Sequence, residues 1–164
     1  QATEGGEKVL GELVLAGARG SKRVADLFCG AGPFALRLAE HMPVYAADSE
    51  RAAIMALQGT SKRTKGLKPI RAEVRDLFRD PLTRFELSGI DCVILDPPRA
   101  GAEAQVKALA PSKIERVVYV SCDPKSFARD AAILIGAGYG LGTVTPVDQF
   151  AYSAHVELAA VFTH

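Results

Sequence analysis

The chain has almost no net charge: 20 Lys and Arg against 19 Asp and Glu leave a formal +1. Without a basic excess, nucleic-acid binding cannot be argued from total charge. Local clusters such as Lys62-Arg63-Thr64-Lys65 read as a solvated helix end rather than a binding patch. Cysteine is scarce as well. Cys29, Cys92 and Cys122, odd in number and widely spaced, make neither a disulfide framework nor a zinc site. A reducing, cytoplasmic setting is the simplest expectation from that usage. No apolar run reaches membrane-spanning length and no signal peptide stands out, so no membrane partner is expected. Repeats, low-complexity tracts and linkers are also missing, and 164 residues suit one domain with a sizeable core.

What is present is a regular alternation. Residues 3–18 carry Val9, Leu10, Leu13 and Val14 at helical spacing. Short β-rich runs follow at 23–28, 44–47, 70–74, 90–95 and 117–120. Helices are predicted at 33–41, after Asp48 as far as about 58, and at 124–135. Two last strands, 143–148 and 154–162, have no helix between them, which predicts a hairpin and one antiparallel strand. The expected fold is α/β, with a mostly parallel seven-stranded sheet.

Ser121-Cys122-Asp123-Pro124 stops the apolar run 117–120 abruptly. Asp123 can cap, and Pro124 can open, the helix that follows. Cys122 is thereby predicted at the carboxyl end of a strand, beside a helix N-terminus. Open α/β sheets bind ligands there, and a thiol's pKa is lowered there. Position alone leaves a second reading open, that of a small buried hydrophobe.

Residues 26–35, Asp-Leu-Phe-Cys-Gly-Ala-Gly-Pro-Phe-Ala, read as a strand end, a glycine turn and a helix start. Gly30 and Gly32 let a ligand approach the backbone closely. Asp48, at the end of the next strand, can accept both ribose hydroxyls of an adenosine. This pattern alone does not separate nicotinamide cofactors from S-adenosylmethionine. Asp76, just after the third strand, stands where a side chain reaches an adenine, and equally where it caps the next segment. Asp96-Pro97-Pro98-Arg99 is a sharper signal, because two prolines after a strand make a rigid loop that holds a carboxylate. Arg99 is a candidate contact to RNA phosphate or a salt-bridge partner within the loop.

Taken together, DLFCGAGPFALRLA, ILDPPRAG, YVSCDPKSFARD and DQFAYSAHVELAAVF resemble the catalytic domain of the RNA uracil-5 methyltransferases, which make 5-methyluridine. The likeness covers nearly the whole chain in the family's order, and the last two motifs are the specific ones. It implies a Rossmann-like S-adenosylmethionine-dependent methyltransferase fold, an RNA substrate (rRNA or tRNA) and no metal in these residues. It implies Cys122 as nucleophile and Glu157 as base. Cofactor contacts are implied at Gln1, Phe28, Gly30, Gly32, Pro33, Asp48, Asp76 and Asp96. His155 is a candidate for orienting the substrate or for a structural hydrogen bond, while Cys29 and Cys92 read as packing residues. Members usually carry an RNA-binding module ahead of this domain, sometimes with an iron–sulfur cluster, for which nothing here offers four ligands. Residues 1–164 begin at Gln1 rather than methionine, and are read as the C-terminal catalytic domain of a longer, monomeric protein.

Three positions depart from the family pattern. Pro33 replaces a common asparagine, Asp48 is one carbon shorter than the usual glutamate, and Asp123 stands where asparagine is usual. The last adds a negative charge beside the nucleophile, which is expected to oppose thiolate formation unless a cation or the helix N-terminus offsets it. Two rival functions stay open: methyl transfer to an exocyclic amine of a base, suggested by Asp96-Pro97-Pro98, and a fragment that only binds cofactor.

Overall fold

The computed structural model describes residues 3–148 and 156–164. Helix α1 (Glu4–Gly17) is followed by β1 (Val24–Leu27), α2 (Pro33–Ala39), β2 (Val44–Asp48), α3 (Arg51–Arg63) and β3 (Ile70–Val74). Then come β4 (Cys92–Leu95), α4 (Glu103–Leu109), a 3-10 turn (Ala110–Ser112), β5 (Arg116–Ser121), α5 (Pro124–Gly136), β6 (Gly140–Asp148) and β7 (Val156–Thr163). The seven strands form one sheet in the order β3-β2-β1-β4-β5-β7-β6. Strands β1 to β5 pair in parallel, and β7 runs antiparallel to both of its neighbours. The predicted terminal hairpin is therefore present. The strand order reverses between β1 and β4, which opens a crevice at the carboxyl ends of those strands.

Every residue of β1 and of β4 is buried, because each strand is covered on both faces. Val24, Val44, Ile94 and Val118 point to one side, against Leu10 and Val14 of α1, Leu38 of α2 and Leu57 of α3. Ala25, Leu95 and Tyr119 point to the other, against Val106 of α4 and Phe127 and Leu134 of α5. Three layers result, helices on both sides of the sheet.

Several boundaries differ from the sequence reading. Helix α4 was not predicted: it has two turns and its N-cap, Ala102, offers no side-chain cap. Tertiary bonds hold it instead. The buried Gln105 side chain accepts from the Leu82 amide at 2.9 Å and donates to the Leu82 carbonyl at 3.0 Å. Strand β6 begins at Gly140 rather than 143. Gly140-Leu141-Gly142 is a weak strand former, recruited by pairing with β7 through an irregularity between Leu141 and Val144. Helix α3 runs on to Arg63, with Lys62 and Arg63 exposed in its last turn, where the helix dipole favours cations. Gln1 and His155 lie outside the described residues.

Candidate active site

Strand alternation gathers five side chains on one side of the sheet. Val24, Val44, Ile94, Val118 and Ala159 face the core beneath α1, α2 and α3. Asp26, Asp48, Asp96, Cys122 and Glu157 each stand an even number of residues from one of these, so the two-residue period turns them the same way. All five lie toward the edge where β1, β2, β4 and β5 end and the antiparallel β7 begins.

The glycine turn shapes one half of the site. The Cys29 amide donates to the Ala47 carbonyl at 3.1 Å, and the Gly32 amide to the Cys29 carbonyl at 2.9 Å. Gly32 has φ +80°, and an added Cβ would meet the Leu57 side chain at 2.5 Å, so both backbone and packing require glycine. Phe28 adopts φ +62°, an uncommon conformation for a bulky residue. Its ring lies 5.4 Å from that of Phe78, centroid to centroid. Asp48 accepts from the Gly30 amide at 2.9 Å and from the Glu50 amide at 2.9 Å, one bond to each oxygen. Each oxygen keeps a lone pair for a further donor. A cavity of about 320 Å³ opens among Phe28, Gly30, Asp48, Phe78, Asp96 and Pro98.

Asp76 is not among the residues that line this cavity. Its carboxylate accepts from the Phe78 amide at 3.0 Å and caps the turn that presents the Phe78 ring. Phe78 escaped the sequence reading, and its only signal was an aromatic residue two positions after Asp76. The turn is braced by Arg75, which bonds Glu86 at 2.8 Å and Asp80 at 3.1 Å. That pairing holds the Glu86 carboxyl down at about 2.

The other half is a second cavity of about 640 Å³, lined by Glu7, Gly11, Pro33, Arg37, Asp96 and Glu157. Asp96 belongs to both cavities and so marks their junction. Its carboxyl is pushed up to about 7, first by burial and then by Glu157 and Asp48. Asp26 lies fully buried beneath, and among the described residues neither of its carboxyl oxygens makes a full hydrogen bond. Burial and then Asp96 raise its pKa well above the carboxylate range, by more than the Ala35 amide lowers it.

Cys122 lies one residue past β5, as predicted. Asp123 accepts from the Ser126 amide at 2.8 Å, capping α5, and Pro124 takes the first turn. The expected lowering of the thiol pKa is not found. Burial raises it first, followed by Glu157, and the weaker opposing effects include Arg99. Asp123, whose carboxylate accepts from the Ser126 amide, is not among the causes. Glu157 is half-buried and itself raised, by burial and then by Glu7. Arg99 is exposed and forms no ion pair among the described residues, so the expected salt bridge within its loop is absent. Cys29 and Cys92 are buried in the core, and burial pushes the Cys92 thiol up to about 12. Both are packing residues. Among the described residues, no group of three or more His, Cys, Asp and Glu is arranged to hold a metal ion, and no helix is long and apolar enough to cross a membrane.

A glycine turn at the end of β1, an acid at the end of β2 and a terminal antiparallel strand define the fold of the S-adenosylmethionine-dependent methyltransferases. The magnesium protoporphyrin IX methyltransferase of Synechocystis PCC 6803, solved with bound SAM, shares that fold. It superposes with a TM-score of 0.69 at 19% identity, over 98% of this chain and 79% of that one. The chain belongs to the tRNA (uracil-5-)-methyltransferase family, which it matches over residues 7–164. It is 53% identical to an RNA methyltransferase of Agrobacterium fabrum over 98% of its length, and covers 39% of that relative. It is 39% identical to the 23S rRNA (uracil(1939)-C(5))-methyltransferase RlmD of Chromohalobacter salexigens, over 88% of this chain and 30% of that protein. The tRNA (uracil-54, C5)-methyltransferase of Pyrococcus abyssi, solved with S-adenosyl-L-homocysteine, superposes with a TM-score of 0.78 at 31% identity, over 96% of this chain and 37% of that one. The chain thus spans about two fifths of the length of the first of these relatives.

Proposed function

We propose that the chain is the catalytic part of an S-adenosylmethionine-dependent enzyme that methylates carbon 5 of a uridine in structured RNA, through a covalent adduct with Cys122. The observation that carries this reading is the meeting of a nucleophile and a carboxylate across β5 and β7. The register pairs Ser121 with Leu158, so the next step along each strand brings Cys122 level with Glu157.

The described residues fit the cofactor. The Phe28 and Phe78 rings, packed on each other in the wall of the smaller cavity, offer an apolar face to an adenine, and the free lone pairs of Asp48 suit the ribose hydroxyls. Asp96, at the junction of the cavities, suits the positive charge beside the methyl group. Bound there, S-adenosylmethionine supplies an electrophilic methyl group. Gln1 is proposed as a further contact on the family resemblance alone.

Carbon 5 of uracil is too weak a nucleophile to react unaided. Cys122 loses its proton to water and adds as a thiolate to carbon 6, and the electron pair of the carbon 5–carbon 6 double bond moves onto carbon 5 and the ring carbonyl. Once carbon 5 carries the methyl group, Glu157 removes the remaining proton there. The bond between Cys122 Sγ and carbon 6 then breaks and the thiolate is regenerated. A base in a stack cannot reach Cys122, so the uridine must be flipped out first. The relatives' names include both an rRNA and a tRNA enzyme, and the class of RNA is tested directly by offering both to the full-length protein.

The decisive experiment uses RNA carrying 5-fluorouridine, whose carbon 5 has no removable proton. The full-length enzyme with S-adenosylmethionine is expected to give a protein–RNA adduct stable to denaturing electrophoresis, and the Cys122→Ala variant to give none and to transfer no methyl group. A Cys122→Ala enzyme that still methylates RNA would overturn the uracil-5 reading and favour an exocyclic amine as the target.

A further inference from the structure

We propose that Arg37 receives the carboxylate of the cofactor's amino-acid end, an inference that rests on the S-adenosylmethionine reading above. Arg37 lies on α2, four residues after Pro33, so both project from the same face of that helix into the larger cavity. Pro33 offers no side-chain donor to a ligand there.

The guanidinium is seated by α1. It lies against the backbone of Gly11, where an added Cβ would come within 2.6 Å of Arg37 Nη1 and 2.7 Å of Cζ. Glycine at position 11 is what allows this contact. The Arg37 Nη1 group donates to the Lys8 carbonyl at 3.5 Å, a weak bond. Among the described residues no carboxylate lies within ion-pair distance of Arg37, although Glu4 and Glu7 line the same cavity. A half-buried cation with a fixed seat and no anion beside it is suited to an anionic ligand.

The cavity is also polar in a directed way. Glu7 acts on Glu157, and Glu157 on Asp96, so the acids gather where the two cavities meet. Gly11 lies one helical turn further along α1 than Glu7, roughly 6 Å, and carries the cationic end with it. An α-amino acid presents an ammonium and a carboxylate side by side. The ammonium finds the acids and the carboxylate finds Arg37, within reach of that long side chain.

The test compares two neutral-sulfur ligands in the full-length protein by titration calorimetry. S-adenosylhomocysteine carries the amino-acid end, and 5′-methylthioadenosine lacks it. Arg37→Gln is expected to weaken S-adenosylhomocysteine about tenfold or more, the loss of one charge-assisted contact, while methylthioadenosine changes less than about twofold. Gly11→Ala, which keeps the arginine but displaces its seat, is expected to show the same selective loss. Equal losses for both ligands, or no loss for either, would refute the role of Arg37. Cofactor affinity unchanged with RNA affinity reduced would refute it too, and would make Arg37 a phosphate contact. If the unmodified protein binds neither ligand, the cofactor reading itself falls.

Discussion

Glu157, the second residue of β7, stands level with Cys122, one residue beyond the last pair of the β5–β7 ladder. Glu157 is the second largest influence raising the Cys122 thiol, after burial. In the resting site Cys122 is therefore held as a thiol, and the Glu157 carboxyl beside it is held toward its protonated form. A cationic ligand at Asp96 opposes both tendencies, since Asp96 also raises the thiol. Cofactor charge and thiol ionisation are coupled through one small group of acids.

The ribose contact gives the simplest prediction. Asp48 both orders the glycine turn and keeps lone pairs free for hydroxyl donors. Asp48→Ala is expected to weaken S-adenosylmethionine by roughly 1–3 kcal/mol, the cost of buried polar partners left unpaired. Titration calorimetry measures this, and an unchanged affinity would mean that the ligand lies elsewhere.

The second prediction concerns pH. Asp96 is pushed up to about 7 in the folded protein, above its unfolded value near 4. Its contribution to stability is therefore present below about pH 4 and lost as pH rises through about 7. Cofactor binding should run the opposite way, because the charged form of Asp96 attracts the sulfonium. S-adenosylmethionine affinity is expected to rise up to about tenfold between pH 6 and 8, and S-adenosylhomocysteine, with its neutral sulfur, to rise less. Asp96→Asn should flatten the difference. Parallel curves for the two ligands in the unmodified protein would show that Asp96 does not face the sulfur.

The parts of this site legible in the sequence are those set by local rules. Gly30 and Gly32, Asp48 at a strand end, and the Asp123-Pro124 helix start all follow from backbone geometry within a few residues. Phe78, Arg37 and Glu7 were not legible, because each enters the site through packing between distant elements. The pKa of Cys122 was misread for the same reason: the helix N-terminus is local, whereas burial and Glu157 come from the folded sheet. Helix α4 was missed because its start is fixed by Asp130, 28 residues from Ala102, rather than by a capping residue of its own.

That same Asp130 supports the third prediction. Its buried carboxylate accepts from the Ala102 amide at 2.7 Å, from the Tyr119 hydroxyl and from Arg129 Nε at 2.9 Å. Arg129 also donates to the Ala100 carbonyl at 2.9 Å, so the network ties the loop after Asp96-Pro97-Pro98 to the helix behind Cys122. Tyr119→Phe removes one donor from a buried charge and keeps the ring, which packs edge-on against Phe127. A loss of roughly 1–3 kcal/mol is expected, seen as a melting temperature lowered by a few degrees. A melting temperature equal to the unmodified protein's would mean that Arg129 and Ala102 suffice for Asp130.

The last prediction separates the two carboxylate roles open to Glu157. As a solvated strand residue it would contribute nothing to turnover. As the base, it acts only after Cys122 has added and carbon 5 has been methylated, because only then must a proton leave carbon 5. Glu157→Gln keeps the size of the side chain and its hydrogen-bonding oxygen, but cannot accept that proton. In the full-length enzyme with unmodified RNA, the variant is expected to complete addition and methyl transfer and then stall. A methylated protein–RNA adduct should accumulate and survive denaturing electrophoresis, while released 5-methyluridine falls by roughly 10²-fold or more, the usual scale of general-base catalysis. The Cys122→Ala, Glu157→Gln double variant should form no adduct. Normal turnover by Glu157→Gln would remove Glu157 from the chemistry, and the proton would then have to leave to another group facing the same cavity, such as Asp96, raised to about 7.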